Sequence, residues 1–266
     1  MQNKLVSVLF IGDIFGRPGR EVVRDFLSLN KEKFDIIIAN CENASSGKGL
    51  TPNNLEELLS YGTDALTSGN HIWSKKEIIP YLGERYPLLR PINYPKEAPG
   101  KGNAVFTTKK GVKIGLINLQ GRVFMQAIDC PFRVGFEEVE KMRQITNIII
   151  VDFHAEATSE KCALGYFLDG EISAILGTHT HVQTNDARIL PRGTAFITDV
   201  GMSGPYESII GVDVDTIIKT YTIGIPRKFD VAKSNKSQLD YVVIEIDEKS
   251  GKAFSIVSKH ELFERR

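Results

Sequence analysis

Leu5-Val6-Ser7-Val8-Leu9-Phe10-Ile11-Gly12-Asp13-Ile14-Phe15-Gly16-Arg17-Pro18-Gly19 reads as a buried strand followed by a turn. Helical spacing follows at Val22, Val23, Phe26 and Leu27. Strand, loop and helix in that order form the unit from which helix-covered sheets are built. The unit recurs. Asp35-Ile36-Ile37-Ile38-Ala39-Asn40 is apolar enough for a strand buried on both faces, and Thr51-Pro52 opens a helix carrying Leu55, Leu58 and Leu59. Thr51 is the expected N-cap, and Pro52 stands at the first helical position, where its missing N–H costs nothing. A third strand, Ala65 to Thr67, runs into Ser68-Gly69-Asn70-His71.

Beyond this alternating third the pattern shifts towards paired strands. Ala104 to Thr108 and Val112 to Leu119 flank Lys109-Lys110-Gly111 as a hairpin. Ile148 to Phe153 and Ile172 to Leu176 read as buried strands, and Ala187 to Leu190 pairs with Ala195 to Thr198 around Pro191-Arg192-Gly193. A last hairpin joins Tyr241–Ile246 to Ala253–Ser258. No repeat, low-complexity tract or Pro/Ser-rich linker divides the chain, and Asn93 to Gly102 reads as a surface loop. The expectation is one α/β domain with two sheets over residues 1–266.

Composition narrows the function. With 33 Lys and Arg against 33 Asp and Glu in 266 residues, the chain lacks a broad basic field for nucleic-acid backbones, so phosphate chemistry would need a local site and a small substrate. The longest apolar run, around Leu5 to Ile11, is far below the ~20 residues of a bilayer-crossing helix. Cys41, Cys130 and Cys162 are odd in number and widely spaced, which suits neither a disulfide framework nor a zinc knuckle and points to a reducing cytoplasm.

The informative pattern is where polar residues stand. Apolar strands end in Gly12-Asp13, Asn40-Cys41-Glu42-Asn43, Gly69-Asn70-His71, Asp152-Phe153-His154 and Gly177-Thr178-His179-Thr180-His181. Carboxyl ends of strands in α/β sheets are where distant segments converge. Four of the five histidines belong to this set, and His260 does not. Buried carboxylates and imidazoles are costly unless compensated, and divalent cations would compensate them. Oxygen and nitrogen donors without thiolate suit manganese, iron or zinc. Cys41 reads as a core residue facing away from the site, and Asp152 either orients a ligand or forms an ion pair.

Competing motifs fail on spacing. Glycines 12, 16 and 19 do not follow G-x-G-x-x-G, and Asp13 would oppose a pyrophosphate. Gly47-Lys48 lacks the preceding glycine and the following Ser or Thr of a phosphate-binding loop. Glu160 and Lys161, like Glu137, Glu138 and Glu140, read as solvated helix faces without a role.

Taken in order, Asp13, Glu42-Asn43, Gly69-Asn70-His71, His154 and Gly177-Thr178-His179-Thr180-His181 resemble the calcineurin-like metallophosphoesterases. Asp13-Ile14-Phe15 lacks that superfamily's first histidine, and Asn40-Cys41-Glu42-Asn43 replaces its G-D-x-x-D. Both departures resemble the bacterial 2′,3′-cyclic-nucleotide 2′-phosphodiesterases, with Gly177 to Thr184 the most specific part. The resemblance implies a two-sheet α/β/β/α sandwich and two divalent ions, iron or manganese with zinc possible. It assigns Asp13, Glu42, Asn43 and His181 to one ion, Glu42, Asn70, His154 and His179 to the other, and His71 to proton donation.

The activity so implied is hydrolysis of a 2′,3′-cyclic nucleotide to a 3′-nucleotide, by a hydroxide bridging the ions with His71 as general acid. Two other readings fit the same residues: a phosphatase or nuclease acting on another phosphoester, and a regulatory RNA-associated protein with a structural metal site. The expected partner is a small cyclic nucleotide, with no membrane and a possible second copy of the chain. No aromatic among Phe15, Trp73, Phe124, Phe132 and Tyr206 stands out as a platform for the base.

Overall fold

A computed structural model describes residues 4–83 and 85–264. The first strand, β1 (Leu5–Ile11), alternates as its sequence dictates. Val6, Val8 and Phe10 enter the core between two sheets, while Leu9 and Ile11 enter a second core beneath helices. After the short β2 (Asp13–Ile14) come α1 (Gly16–Asn30), β3 (Ile36–Asn40), α2 (Pro52–Ser60) and β4 (Ala65–Thr67). Thr51 caps α2 as its sequence predicts, its hydroxyl accepting the Asn54 N–H. Strands β1, β3 and β4 are parallel, so their carboxyl ends lie along one sheet edge.

The second sheet is built from β5 (Asn103–Thr107), β6 (Lys113–Gln120), β7 (Ile149–His154), β8 (Ala174–Thr178), β9 (Arg188–Ile189) and β10 (Ala195–Ile197). Its order is β5-β6-β7-β8-β10-β9. The four central strands are parallel and the two edge strands antiparallel. Helices α3 (Pro131–Arg143) and α4 (Thr158–Phe167) follow β6 and β7. The remaining elements, β11 (Met202–Pro205), α5 (Val214–Ile223), β12 (Lys236–Asp247) and β13 (Ala253–Glu264), return to the first sheet, whose order is β2-β11-β12-β1-β3-β4 with β13 also paired to β12.

Three cores correspond to the three interfaces of an α/β/β/α sandwich. Residues such as Phe10, Ile38, Leu116, Ile150, Leu176 and Ile244 fill the space between the sheets. Leu27, Leu55 and Leu58 lie under α1 and α2, and Val139, Phe153 and Leu164 under α3 and α4. Removing a ring such as that of fully buried Phe10 would cost about 3–5 kcal/mol. The helix-side core also holds Cys41, so its thiol does face away from the neighbouring Glu42. No helix among the described residues is long and apolar enough to cross a membrane.

The structure corrects three sequence expectations. Glu160 and Lys161 are buried in α4, not solvated. The Glu160 carboxylate accepts the N–H groups of Arg122 and Val123 where β6 ends, and Lys161 pairs with Asp199. Asn93 is buried too: its amide exchanges hydrogen bonds with Gln120 and donates to the Asp129 carbonyl, continuing the sheet's pairing in side-chain form. The final hairpin is longer than its apolar alternation suggested, because polar residues from Lys236 to Asp240 and from Lys259 to Glu264 keep pairing.

Candidate metal centre and adjoining cleft

Side chains meet where the parallel strands of both sheets end. Polar links bind the sheets at this edge. The Asn40 amide donates to Asp152 Oδ2 at 2.9 Å, and the Ser68 N–H donates to Asn118 Oδ1 at 3.1 Å. All eight residues singled out in the sequence lie here. Asp13 follows β1, Glu42 and Asn43 follow β3, Asn70 and His71 follow β4, His154 closes β7, and His179 and His181 follow β8.

His154 is the centre of the tighter group. Its Nδ1 lies 2.8 Å from Thr178 Oγ1, and that hydroxyl donates to Asp152 Oδ1 at 2.8 Å. Because the hydroxyl proton is committed to Asp152, its oxygen accepts from Nδ1–H, which leaves Nε2 as the nitrogen that faces the cluster. Around Nε2 stand Glu42 Oε1 at 3.0 Å, Asn70 Oδ1 at 3.2 Å and His179 Nδ1 at 3.0 Å. Asp152 therefore orients His154 through Thr178, the first of the two roles its sequence position allowed.

The second group is looser. Asp13 Oδ1 lies 4.0 Å from His181 Nε2, while Asp13 Oδ2 accepts the His179 N–H at 3.0 Å. His181 Nδ1 donates to the Ile210 carbonyl at 2.9 Å, so its Nε2 is bare as well. Asn43 donates its amide hydrogen to the Gly47 carbonyl, leaving Oδ1 for other use.

Burial and charge pull against each other throughout this cluster. Burial pushes the Asp13 carboxyl up despite His181 and His154. Burial also opposes ionisation of Glu42, but His154 and the His71 N–H outweigh it and hold that carboxyl low. Burial lowers the His154 imidazole, but Glu42 and Asp13 outweigh it and raise it above its ordinary range, so a cation settling at Nε2 would displace a proton from it. His179 is pushed down to about 3, first by burial and then by His154, so it stays a neutral donor.

Three buried oxygens, Asp13 Oδ1, Glu42 Oε1 and Asn43 Oδ1, have no hydrogen-bond donor. Each such orphan normally costs about 1–3 kcal/mol. At Gly69, a Cβ would overlap both the His154 ring and Glu42 Oε2, so only glycine lets the strand-end donors close in. Orphaned oxygens, bare imidazole nitrogens and a glycine-lined cradle fit hard-to-borderline divalent cations. Glu42, His154 and His179 bring donor atoms within 4.8 Å of one another.

The centre opens into a cleft of about 640 Å³. Glu42, Asn43, His71, His179 and His181 line one end; Ile210, Val212, Ile217 and Val231 form an apolar wall; Lys48, Tyr221, Arg227 and Phe229 stand at the rim. His71 accepts from the Asn70 amide at Nδ1, which leaves Nε2 to carry its hydrogen, and burial pushes its imidazole below the ordinary value. Among the aromatics considered from sequence, only Phe15 borders this cleft; it is buried edge-on against His181. Tyr221, Phe229, Arg227 and Glu156, whose carboxylate lies 3.1 Å from His179 Nε2, went unnoticed in the sequence. Glu156 comes in just past the end of β7, and the other three are brought over the centre by the backbone path of residues 206–231, which no spacing rule reveals.

The YmdB-like protein family matches residues 9–258. This chain belongs to that family. Over 253 residues it is 48% identical to the 2′,3′-cyclic-nucleotide 2′-phosphodiesterase of Bacillus subtilis, covering 94% of this chain and 95% of that protein. Two solved structures share its architecture, each with a TM-score of 0.91. One is a hypothetical protein from Thermus thermophilus, 39% identical, covering 98% of this chain and all of that one. The other is a novel phosphatase from Mycoplasma pneumoniae, 34% identical, covering 99% of this chain and 96% of that one. The YmdB-like chain is thus a metal-dependent phosphoesterase by family and fold, with the donor set described above at its strand ends.

Proposed function

We propose that the chain hydrolyses 2′,3′-cyclic nucleotides to 3′-nucleotides. Two divalent ions would be held by Asp13, Glu42, Asn43 and His181 on one side and by Glu42, Asn70, His154 and His179 on the other. The observation that carries the reading is the convergence of donorless buried oxygens and bare imidazole nitrogens at the mouth of a nucleotide-sized cleft. Iron or manganese suits the donors best, with zinc third. Such ions, when bound, neutralise phosphoryl charge and acidify water.

The chain's own residues then divide the remaining work. Glu42 has two carboxylate oxygens to share, and the neutral oxygens of Asn43 and Asn70 add donors without adding anionic charge. As the imidazolium, His71 would give its Nε2 proton to the departing 2′ oxygen as general acid and be left as the neutral ring, a service typically worth about 10²–10⁴ in rate. The apolar wall and Phe229 take the ribose and base, while Lys48 and Arg227 attract the anion. Three free cysteines suit a reducing cytoplasm.

The test is a panel of 2′,3′- and 3′,5′-cyclic nucleotides, phosphomonoesters and RNA, offered to protein reloaded anaerobically with iron, manganese or zinc. The expected result is 3′-nucleotide from the 2′,3′-cyclic substrates alone. Preferential turnover of monoesters or RNA would replace this reading with the phosphatase or nuclease. His71→Ala should cut turnover of the ribose cyclic ester at least ~10²-fold and spare an activated aryl ester, whose leaving group needs no proton.

A further inference from the structure

We propose that Asp199, neutralised by the buried amine of Lys161, is a positioning residue that fixes His179 and His181 in their site-facing conformation. The proposal rests on the metal-centre reading above and concerns residues outside the donor set. Both histidines have left-handed backbone, with φ of 102° at His179 and 64° at His181, which residues bearing a Cβ adopt only where their surroundings hold them. Thr180, between them, is what is held. Its N–H and hydroxyl both donate to Asp199 Oδ2, at 3.0 and 2.7 Å. Lys161 Nζ reaches the same oxygen at 2.7 Å, and Asp199 Oδ1 accepts the Gly201 N–H.

The clamp closes further along the segment as well. The Thr184 N–H donates to the Asp199 carbonyl, and the Asp199 N–H donates to the Thr184 hydroxyl. Residues 180–184 are thereby pinned at both ends on one aspartate. The pair is fully enclosed, with side-chain exposures of 2% and 0%. Lys161 reaches it along Gly177, where a Cβ would lie 3.1 Å from Lys161 Cδ and would overlap the Thr198 carbonyl. A buried ion pair is a poor source of stability compared with apolar packing. This one instead sets backbone geometry: the N–H of His179 points to Asp13 and the next N–H, that of Thr180, to Asp199. Two consecutive amides held by two carboxylates fix the peptide planes on either side of His179, and the Thr180 anchor on Asp199 sets where the chain goes on to His181.

The test measures manganese binding to metal-free protein by paramagnetic resonance and calorimetry, beside the thermal melt of each variant. Asp199→Asn and Lys161→Met are expected to weaken manganese binding about 10–100-fold, the range for groups that orient metal ligands. The double variant should lose no more than Asp199→Asn alone, since Lys161 acts through Asp199. Wild-type affinity and stoichiometry in Asp199→Asn would overturn the proposal. Should that variant fail to fold, Thr180→Val decides: several-fold weaker binding supports the clamp, and unchanged binding overturns it. Wild-type protein that binds two manganese ions yet leaves cyclic nucleotides intact would remove the functional reading and leave this one standing. Wild-type protein that binds none would remove both.

Discussion

On the two sides of Glu42, the donors differ in spacing and in what supports them. His154 has three donor atoms within 3.2 Å of Nε2, and its ring is tied to the second sheet through Thr178 and Asp152. His181 stands 4.0 Å from Asp13 and is tied to the carbonyl of Ile210, a half-exposed residue with a φ of 48°. His154 is placed by the ladder of β7, whereas His181 stands beyond the end of β8 with its ring held by a loop carbonyl. On the proposed ligand assignment the sites should be unequal: the half around His154 is expected to bind first and tightly, and the half around Asp13 and His181 second and more weakly.

Glu42→Gln strikes both halves and should have the largest effect. Removing the one anion common to them costs about 4 kcal/mol or more, roughly 10³-fold in turnover, with loss of both ions by elemental analysis. Retention of two ions would show that Glu42 is not shared. Gly69→Ala breaks the tight half alone, because its methyl group overlaps His154 and Glu42 Oε2. About 10²-fold loss of turnover and retention of at most one ion are expected. His181→Ala should do the reverse, sparing the first binding event in a calorimetric titration and weakening the second. If it abolishes the first event, the ranking of the halves is wrong.

A finer probe is Thr178→Val, which keeps shape but interrupts the path from His154 to Asp152. Affinity for the first ion should fall about 10-fold, with little change at the second. The smallest effect is expected at Cys41, one residue from Glu42 but on the far side of the strand. Burial, with Glu42 second, pushes its thiol far above the ordinary cysteine value, so it stays protonated through mildly alkaline pH. Alkylation of native protein at a mildly alkaline pH of about 8 should label Cys130 and Cys162, spare Cys41 and leave metal content unchanged.

The strand-end pattern was legible because it is local. Burial on both faces writes Ile36 to Ala39 as an apolar run, and a polar residue after such a run must stand at the sheet's edge. The Thr51-Pro52 start of α2 was legible for the same reason: a capping hydroxyl and a proline act within one turn. Lys161 was misread because a lysine in a helix ordinarily faces water, and nothing nearby in sequence reveals that Asp199, 38 residues on, waits for its amine. The cleft's far wall escaped for a related reason. Tyr221, Arg227 and Phe229 have no periodicity that distinguishes a rim over a site from an exposed loop.

Sequence by itself determined most of the strands, though not β2 or β11, that their polar ends converge, and that oxygen and nitrogen donors for divalent cations are gathered there. These follow from side-chain periodicity and the cost of burying charge, both fixed by residue type. Only the tertiary structure decided which imidazole nitrogen is bare, which half of the centre is tight, and which buried lysine steadies the histidine segment. Those outcomes depend on angles and distances between residues far apart in the chain, which composition and spacing leave undetermined.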